Sequence, residues 1–265
     1  MNAKHLHRKE LSALVPQYPS NFSDTNHSPL TTHHSLKRKS AFTLSEVLIT
    51  LAIIGIVAAL TLPTLIQNYK ETVLITKVKR TYSNIQNATI LAQKDNGSIG
   101  DNSVLFNAAD GVNKVAVNFA KYFSGAKVCK FRSECPNYYY DIEYAANAFD
   151  ENGSPKNWNH GAFKIILNDG AFITVGSLLP DCESHRYDTV YDEKGQPTSV
   201  PVNQYFCAVV IFDVNGPTPP NKFGQDAFET YIFKNKVAPS TWVLTGGNTL
   251  KNILSGNEKL HSGQK

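Results

Sequence analysis

The sequence lacks the common motifs of a catalytic site. It contains no Gly-x-Ser-x-Gly, no His-Glu-x-x-His and no phosphate-binding loop. Ser184 and His185 are neighbours in the chain, but no third partner of a nucleophilic triad accompanies them. We therefore predict that the chain is not an enzyme and needs no cofactor.

The chain also lacks an excess of charge beyond its first residues. The formal net charge is +4, and residues 1–41 hold six Lys or Arg against two Asp or Glu, which accounts for all of it. The totals of 26 basic and 22 acidic residues therefore leave twenty of each sign in residues 42–265. A neutral domain has no electrostatic footprint for a phosphate backbone, so we expect no nucleic-acid partner.

Cysteine is sparse and lacks the spacing of a metal site. The four cysteines are Cys129, Cys135, Cys182 and Cys207, and no Cys-x-x-Cys occurs among them. Four cysteines permit three pairings, of which we favour Cys129–Cys135 with Cys182–Cys207. A metal site and free thiols are the alternatives. We expect disulfides because all four residues lie beyond the apolar run described next, in the compartment where thiols oxidise.

One long apolar run stands near the N-terminus. The basic residues Lys37, Arg38 and Lys39 precede it, and twenty residues from Val47 to Ile66 contain no charge. A helix of that length covers the roughly 30 Å hydrocarbon core of a bilayer. Basic residues stay in the cytoplasm, so the later residues are expected outside it. Glu46 is unusual, because a carboxylate beside such a run is costly and commonly functional.

The residues around Glu46 resemble a known processing site. The order Ala41-Phe42-Thr43-Leu44-Ser45-Glu46 before an apolar helix is similar to that of type IV pilins and type II secretion pseudopilins. The resemblance implies that a prepilin peptidase cuts between Ala41 and Phe42, and that Phe42 is then N-methylated. Pro63 matches a proline that family members carry inside the helix. Ala41 departs from the glycine preferred there, which implies slower processing.

The predicted leader, residues 1–41, is long for this family. Met1 is the only methionine, so no internal methionine offers a later start, although another start codon remains an alternative. Residues 1–36 contain five histidines and no apolar periodicity. We expect them to be disordered and cytoplasmic, with a histidine-rich metal-binding tail as the alternative.

The resemblance implies a structural subunit of a type IV pilus or of a type II secretion pseudopilus. Its partners would be prepilin peptidase, copies of itself, related pilins and the inner membrane. Glu46 would pair with the α-amino group of Phe42 on a neighbouring subunit, and Pro63 would let the helix bend. The chain would begin as a single-pass inner-membrane protein and end in a periplasmic or cell-surface filament. The alternative is an unprocessed, membrane-anchored periplasmic protein that holds a ligand on its sheet.

The apolar run predicts the first half of one long helix over residues 42–95. A stripe with spacings of three and four indicates an amphipathic second half, and Asn96-Gly97 is a turn signal that ends it. The first half, apolar all round, suits lipid or other copies of the chain, and the second suits a globular domain. The stripe residues are Ile75, Val78, Tyr82, Ile85, Thr89 and Ala92.

Residues 96–265 are predicted to form a globular domain of the α+β class, with a small antiparallel sheet against the long helix. A helix is expected within residues 103–123, and a hairpin within 162–175 around Asn168-Asp169-Gly170. The polar residues 246–265 are expected to form a loose tail. Further strands are expected at residues 205–214, 228–233 and 242–244.

A loop after one strand gathers oxygen-bearing side chains. They belong to Asp213, Asn215, Asn221 and Asp226. Calcium prefers oxygen ligands, and major pseudopilins of type II secretion are similar in carrying a calcium loop late in the domain. Asp, Asn, Gly and Pro also build turns without any metal. We favour the turn interpretation and predict no metal ligands, with calcium as the alternative.

Overall fold

The computed structural model describes residues 42–145, 157–158, 161–191, 197–257 and 260. The predicted leader, including Ala41, lies outside the described residues. The chain divides into two units, residues 1–52 and 53–265. In the first unit the described residues 42–52 are exposed and include the start of helix α1.

The long N-terminal helix is confirmed as α1, Leu44–Asp95. All six residues of the predicted stripe are buried, which confirms that the second half is amphipathic. Residues 59–70, in contrast, are exposed along their whole length. The helix ends at the predicted Asn96-Gly97 turn, where Gly97 has a φ of +65° that favours glycine.

The α+β class is confirmed by an antiparallel six-stranded sheet. Two short helices accompany it, α2 (Gly111–Ala120) and α3 (Gly247–Leu254). In spatial order the six strands are β1 (Lys127–Cys129), β4 (Lys164–Ile166), β5 (Phe172–Leu178), β8 (Ala208–Asp213), β9 (Ala227–Ile232) and β10 (Val237–Pro239). Two separate pairs are β2 (Ile142–Glu143) with β3 (Asn157–Trp158), and β6 (Ser184–Tyr191) with β7 (Pro197–Gln204).

Each face of the six-stranded sheet has its own apolar cluster. Alternate residues such as Ile173, Phe212 and Phe228 share one buried core with the stripe of α1 and with α2. On the opposite face, which we call the outer face, Phe172 and Ile211 pack with a smaller cluster. The alternation follows from the period of two along a strand.

The predicted hairpin is present, since β4 and β5 pair with Ile165 opposite Ile173. Gly170 in its turn has a φ of +85°. The helix expected within residues 103–123 is also present, as α2. One prediction needs correction: residues 242–244 are not a strand, because Val243–Thr245 form a 3-10 helix after β10.

The loose tail predicted for residues 246–265 is also wrong in part, because α3 packs against the domain. Leu250 and Ile253 are fully buried, and the Leu260 N–H donates to Glu71 Oε1 at 2.8 Å. A Cβ on Gly247 would collide with the Ser240 carbonyl, so this glycine permits the close approach. Residues 246–265 are mostly polar, so the sequence prediction overlooked the apolar pair Leu250 and Ile253, which has the i, i+3 spacing of a helix face.

The four cysteines form the favoured pairs, Cys129–Cys135 and Cys182–Cys207. The second disulfide lies at the base of the β6–β7 hairpin, because Cys182 precedes β6 and Cys207 follows β7. In the Tyr138–Tyr140 run, Tyr139 is buried and Tyr138 and Tyr140 pack edge-on against Phe172. This run of tyrosines therefore packs against the domain and does not form an exposed patch.

Candidate functional site

The first turn of α1 is held by a reciprocal cap between Thr43 and Glu46. The Thr43 backbone N–H and hydroxyl donate to Glu46 Oε2 at 2.8 and 2.9 Å, and the Glu46 N–H donates to Thr43 Oγ1 at 3.2 Å. This arrangement is a capping box, which satisfies N–H groups that a helix start leaves without partners. Its sequence signal is the pattern Thr-x-x-Glu at residues 43–46, which the predictions from sequence did not include.

The capping box fixes where the Glu46 carboxylate stands. Both bonds from Thr43 use the same oxygen, Oε2, while a carboxylate offers about four lone-pair sites. Glu46 and Phe42 are exposed and lie around one surface concavity with Val47 and Thr50. A negative group is also favourable at a helix N-terminus. The carboxylate thus keeps acceptor sites beyond those that Thr43 uses.

The helix that follows presents an apolar surface. An 18-residue window of α1 has a mean hydropathy of 2.4, and none of it is buried in the structure. By length and composition this segment is able to cross a membrane. Large exposed apolar surfaces mark membrane or protein contacts. Members of this surface include Leu48, Leu51, Ile54, Val57, Leu62 and Leu65.

Pro63 lies inside α1 within this exposed segment. Proline has no backbone N–H, so the carbonyl one turn earlier has no helical donor from this position. The nearby hydroxyls of Thr61 and Thr64 donate to the carbonyls of Val57 and Thr61, at 2.9 and 3.3 Å.

The fold and the first turn of α1 together define a protein with an N-terminal apolar helix and an α+β domain. Residues 36–62 match the model of the prokaryotic N-terminal methylation motif. This motif is the signature of type IV pilins and pseudopilins, so the recognised resemblance is confirmed, and the motif indicates a structural protein. No curated protein and no solved structure matches the chain.

The loop of residues 213–226 brings the four predicted oxygen-bearing residues together. Asp213 and Asp226 are fully buried. Asp226 accepts the backbone N–H groups of Asn221 and Lys222 at 2.8 and 2.7 Å. Asp213 accepts the Tyr140 hydroxyl at 2.8 Å on Oδ2 and the Asn215 N–H at 3.0 Å on Oδ1. Both carboxyl groups thus organise the turn.

The two asparagines close the same loop. Asn215 Nδ2 donates to the Thr218 carbonyl at 2.7 Å. With its amide oriented so that nitrogen faces the carbonyls, Asn221 donates to Gly216 and Thr218 at 3.1 and 3.2 Å. These hydrogen bonds are the ones expected if the polar side chains build the turn without a metal. Asn215 Oδ1 is buried and accepts no hydrogen bond in the described part of the chain, so calcium is tested below as the alternative.

Burial dominates the electrostatics of this loop. It raises the pKa of Asp213 well above 3.8, and the charge of Asp226 raises it further. Burial also raises the pKa of Asp226, against the backbone N–H groups of Lys222 and Asn221, which lower it. A raised pKa means that the folded state holds the proton more tightly than the unfolded state.

We predict that Asp213→Asn raises the stability of the domain at neutral pH, whereas Asp226→Asn lowers it by about 1–3 kcal/mol. Both carboxyl groups have a raised folded pKa and therefore weaken the folded state progressively as pH rises above 3.8, and an amide removes that slope. At position 213 the amide oxygen still accepts the Asn215 N–H, and the NH₂ group faces the Tyr140 oxygen, which is able to accept it. The amide that Asp226→Asn introduces would instead point an NH₂ group at one of two backbone N–H groups. Urea unfolding of both variants between acidic and neutral pH measures the difference.

The two substitutions control each other, because each replaces one buried carboxylate of the same loop by its isostere. Equal losses for both would contradict the assigned hydrogen bonds. Unfolding with calcium in excess and with a chelator tests the alternative, since a ligand of the native state raises its stability. If the loop is a turn without a metal, its stability to unfolding should be the same with calcium and with the chelator.

Proposed function

We propose that this chain is a structural subunit of a type IV pilus or a type II secretion pseudopilus, assembled through its N-terminal helix after cleavage by prepilin peptidase. The observation that supports it most is the match of residues 36–62 to the methylation motif, together with an exposed Glu46 in the first turn of α1. The exposed apolar surface of α1 adds support, because a single globular domain has no use for it.

Cleavage between Ala41 and Phe42 produces a cationic partner for the Glu46 carboxylate. The new α-amino group on Phe42 is a cation, and in an apolar bundle a carboxylate requires such a partner. The capping box holds the carboxylate of one subunit at a fixed place, so the amine of an incoming subunit meets it at one axial position. The pair therefore sets the register of assembly.

The two halves of α1 have different roles in this proposal. The second half is committed to the domain core through its buried stripe, including Val78 and Ile85. The first half is left for other helices or for lipid. Pro63 removes one helical hydrogen bond in this half and gives it a place to bend while helices pack.

The proposal assigns a compartment to each part of the chain. Residues 1–41 form the cytoplasmic leader that is removed, 42–95 the helix, and 96–265 the domain outside the cytoplasm. The two disulfides of the domain fit an oxidising compartment. The inner membrane holds the precursor, and the filament in the periplasm or on the surface holds the product.

We predict that expression with a prepilin peptidase lowers the mass of the protein by residues 1–41 and leaves an N-methylated Phe42. The basic residues upstream and the motif direct the cut to this side of the apolar run. Intact mass and N-terminal sequencing of membrane fractions, with and without the peptidase, measure it. Ala41→Gly is the matched variant and should be cut faster, because it restores the preferred residue.

Two outcomes would count against this processing. An N-terminus beyond Leu60 indicates ordinary signal peptidase, which cuts after an apolar core. An unchanged mass in the presence of an active peptidase, for the parent and for Ala41→Gly, favours the unprocessed anchored protein instead.

A further inference from the structure

The outer face of the sheet contains a cavity of about 520 Å³ that the proposed assembly does not use. Its volume lies within the range of sites for small molecules. Strands β5, β8 and β9 form its floor, and residues from three distant parts of the chain form its walls. The lining residues used below are Trp158, Phe206, Ile211, Glu229, Tyr231 and Trp242.

One charged side chain lies in the floor. Glu229 on β9 stands opposite Ile211 on β8 in the strand register, and its accessible surface is reduced to 5%. Its neighbours on the same face are therefore mainly apolar. None of the residues that the structure describes along the cavity wall is Lys, Arg or His. A buried carboxylate without a cation is energetically unfavourable, so this floor favours a positive ligand.

Aromatic rings form the walls. Phe206 stacks on Tyr231 with ring centroids 4.3 Å apart and an angle of 11°. Trp158 and Trp242 are the two tryptophans of the chain, and both line the cavity. The negative faces of such rings attract cations, and quaternary ammonium groups are bound in aromatic cages of this kind.

The same sheet face already holds one ammonium group on aromatic rings. Lys164 Nζ lies 5.0 Å from the centroid of the Trp158 ring and 5.1 Å from that of Phe172. Burial lowers the pKa of Lys164 to about 8. The outer face therefore already contains a contact between a cation and aromatic rings, and one of these rings, that of Trp158, also lines the cavity.

The aromatic walls decide which kind of cation fits. Burial raises the pKa of Glu229, and the neighbouring hydroxyl groups of Ser240, Thr245 and Tyr231 lower it. A primary ammonium brings three N–H donors that each need an acceptor, whereas four aromatic rings line the cavity. A quaternary ammonium donates no hydrogen bond and needs only negative potential and ring faces.

We propose that this cavity binds a small organic cation with a quaternary ammonium head, held by Trp158, Phe206, Tyr231 and Trp242 above the carboxylate of Glu229. Choline and tetramethylammonium are the probes of this chemistry. The site goes beyond the proposed filament function and is independent of it, because it uses no residue of the first half of α1.

The experiment uses the fluorescence of the two tryptophans, which report on the cavity directly. The full chain, purified in a maltoside detergent that has no choline head group, is titrated with choline and with its neutral isostere 3,3-dimethyl-1-butanol. We expect a saturable change with choline and at least tenfold weaker binding of the alcohol. Equal binding of both, or no saturable change with choline, would overturn the proposal.

Variants separate the charge from the rings. Glu229→Gln keeps the size of the side chain and should weaken choline binding at least tenfold, and Trp242→Ala removes a half-exposed ring with little risk to the fold. Phe131→Ala, an exposed ring away from the cavity, is the control and should bind like the parent. Unchanged choline binding by both cavity variants would overturn the proposal.

The source of the ligand is decided by one further titration. Glycerophosphocholine carries the same ammonium on a lipid head group. Tighter binding of glycerophosphocholine than of choline assigns the site to a membrane lipid, and the reverse assigns it to a free solute. Either result supports the cation site, whereas competition of both by the neutral alcohol at equal concentration contradicts it.

Discussion

The variant Glu46→Gln is expected to reach the membrane and to fold its outer domain, yet to be absent from filaments. Glutamine serves in a capping box as well as glutamate does, so the first turn of α1 keeps its bonds to Thr43. Only the negative charge is lost. If that charge pairs with the α-amino group of Phe42 on a neighbouring subunit, the variant cannot assemble, although the capping box at the start of α1 is preserved.

Three companion variants make the result specific. Glu46→Leu removes both cap and charge and should fail in the same way, although its insertion should be as good or better, since an apolar residue suits the membrane. Glu46→Asp keeps the charge with a shorter reach and should assemble partially. Thr43→Val removes the capping hydroxyl but leaves the carboxylate, so its assembly should be largely preserved.

The measurement is the amount of protein in sheared filaments relative to the amount left in the membrane. A Gln variant that assembles like the parent contradicts the pairing and favours an anchored protein. A Thr43→Val variant that fails as completely as Glu46→Gln shows that the helix cap, not the charge, is what assembly needs. The four variants together therefore separate the two roles that one carboxylate has in this structure.

The long helix was predictable because its signals are local. The apolar run, the stripe from Ile75 to Ala92 and the Asn96-Gly97 turn all follow from spacing along one segment, and the structure confirms them. The β4–β5 hairpin was predictable for the same reason, since Asn168-Asp169-Gly170 supplies its turn.

Two kinds of element with weak sequence signals were missed. Strands β6 and β7 form a separate two-stranded sheet among the described residues, and their sequence contains polar residues and prolines that give a weak strand signal. Helix α3 is short, and its two buried apolar side chains, Leu250 and Ile253, are explained only by the core that they enter. Intrinsic helix propensity cannot predict a short helix that is stabilised mainly by tertiary packing.

The outer-face cavity could not be predicted from sequence at all. Trp158 belongs to the separate β2–β3 pair, Glu229 to an interior strand of the six-stranded sheet, and Trp242 to a loop. Only the register of β8 against β9 places Glu229 on the same face as these rings. In the proposed assembly site, by contrast, Phe42, Thr43 and Glu46 lie close together in the sequence, so a local motif was enough to predict Phe42 and Glu46.

The substitution Ile85→Ala is expected to destabilise the outer domain by about 2–5 kcal/mol, a large fraction of the stability of an ordinary domain. Ile85 is fully buried in the core that α1 shares with the sheet, so truncation loses apolar contacts and leaves a cavity. Ile90→Ala is the matched control. It lies on the same helix with 60% of its surface exposed, and it should change stability by no more than about 0.5 kcal/mol.

Urea unfolding of the full chain in detergent, followed by tryptophan fluorescence, compares these two variants, because both tryptophans lie in the domain and not in α1. The expected separation between Ile85→Ala and Ile90→Ala follows only if the second half of α1 is part of the domain core. Equal effects would mean that the stripe is not buried in solution. A destabilised Ile85→Ala should also enter filaments less well, but through loss of folded domain, so its membrane pool should be sensitive to protease. The Glu46→Gln pool should stay resistant, since that variant alters assembly and leaves the core intact.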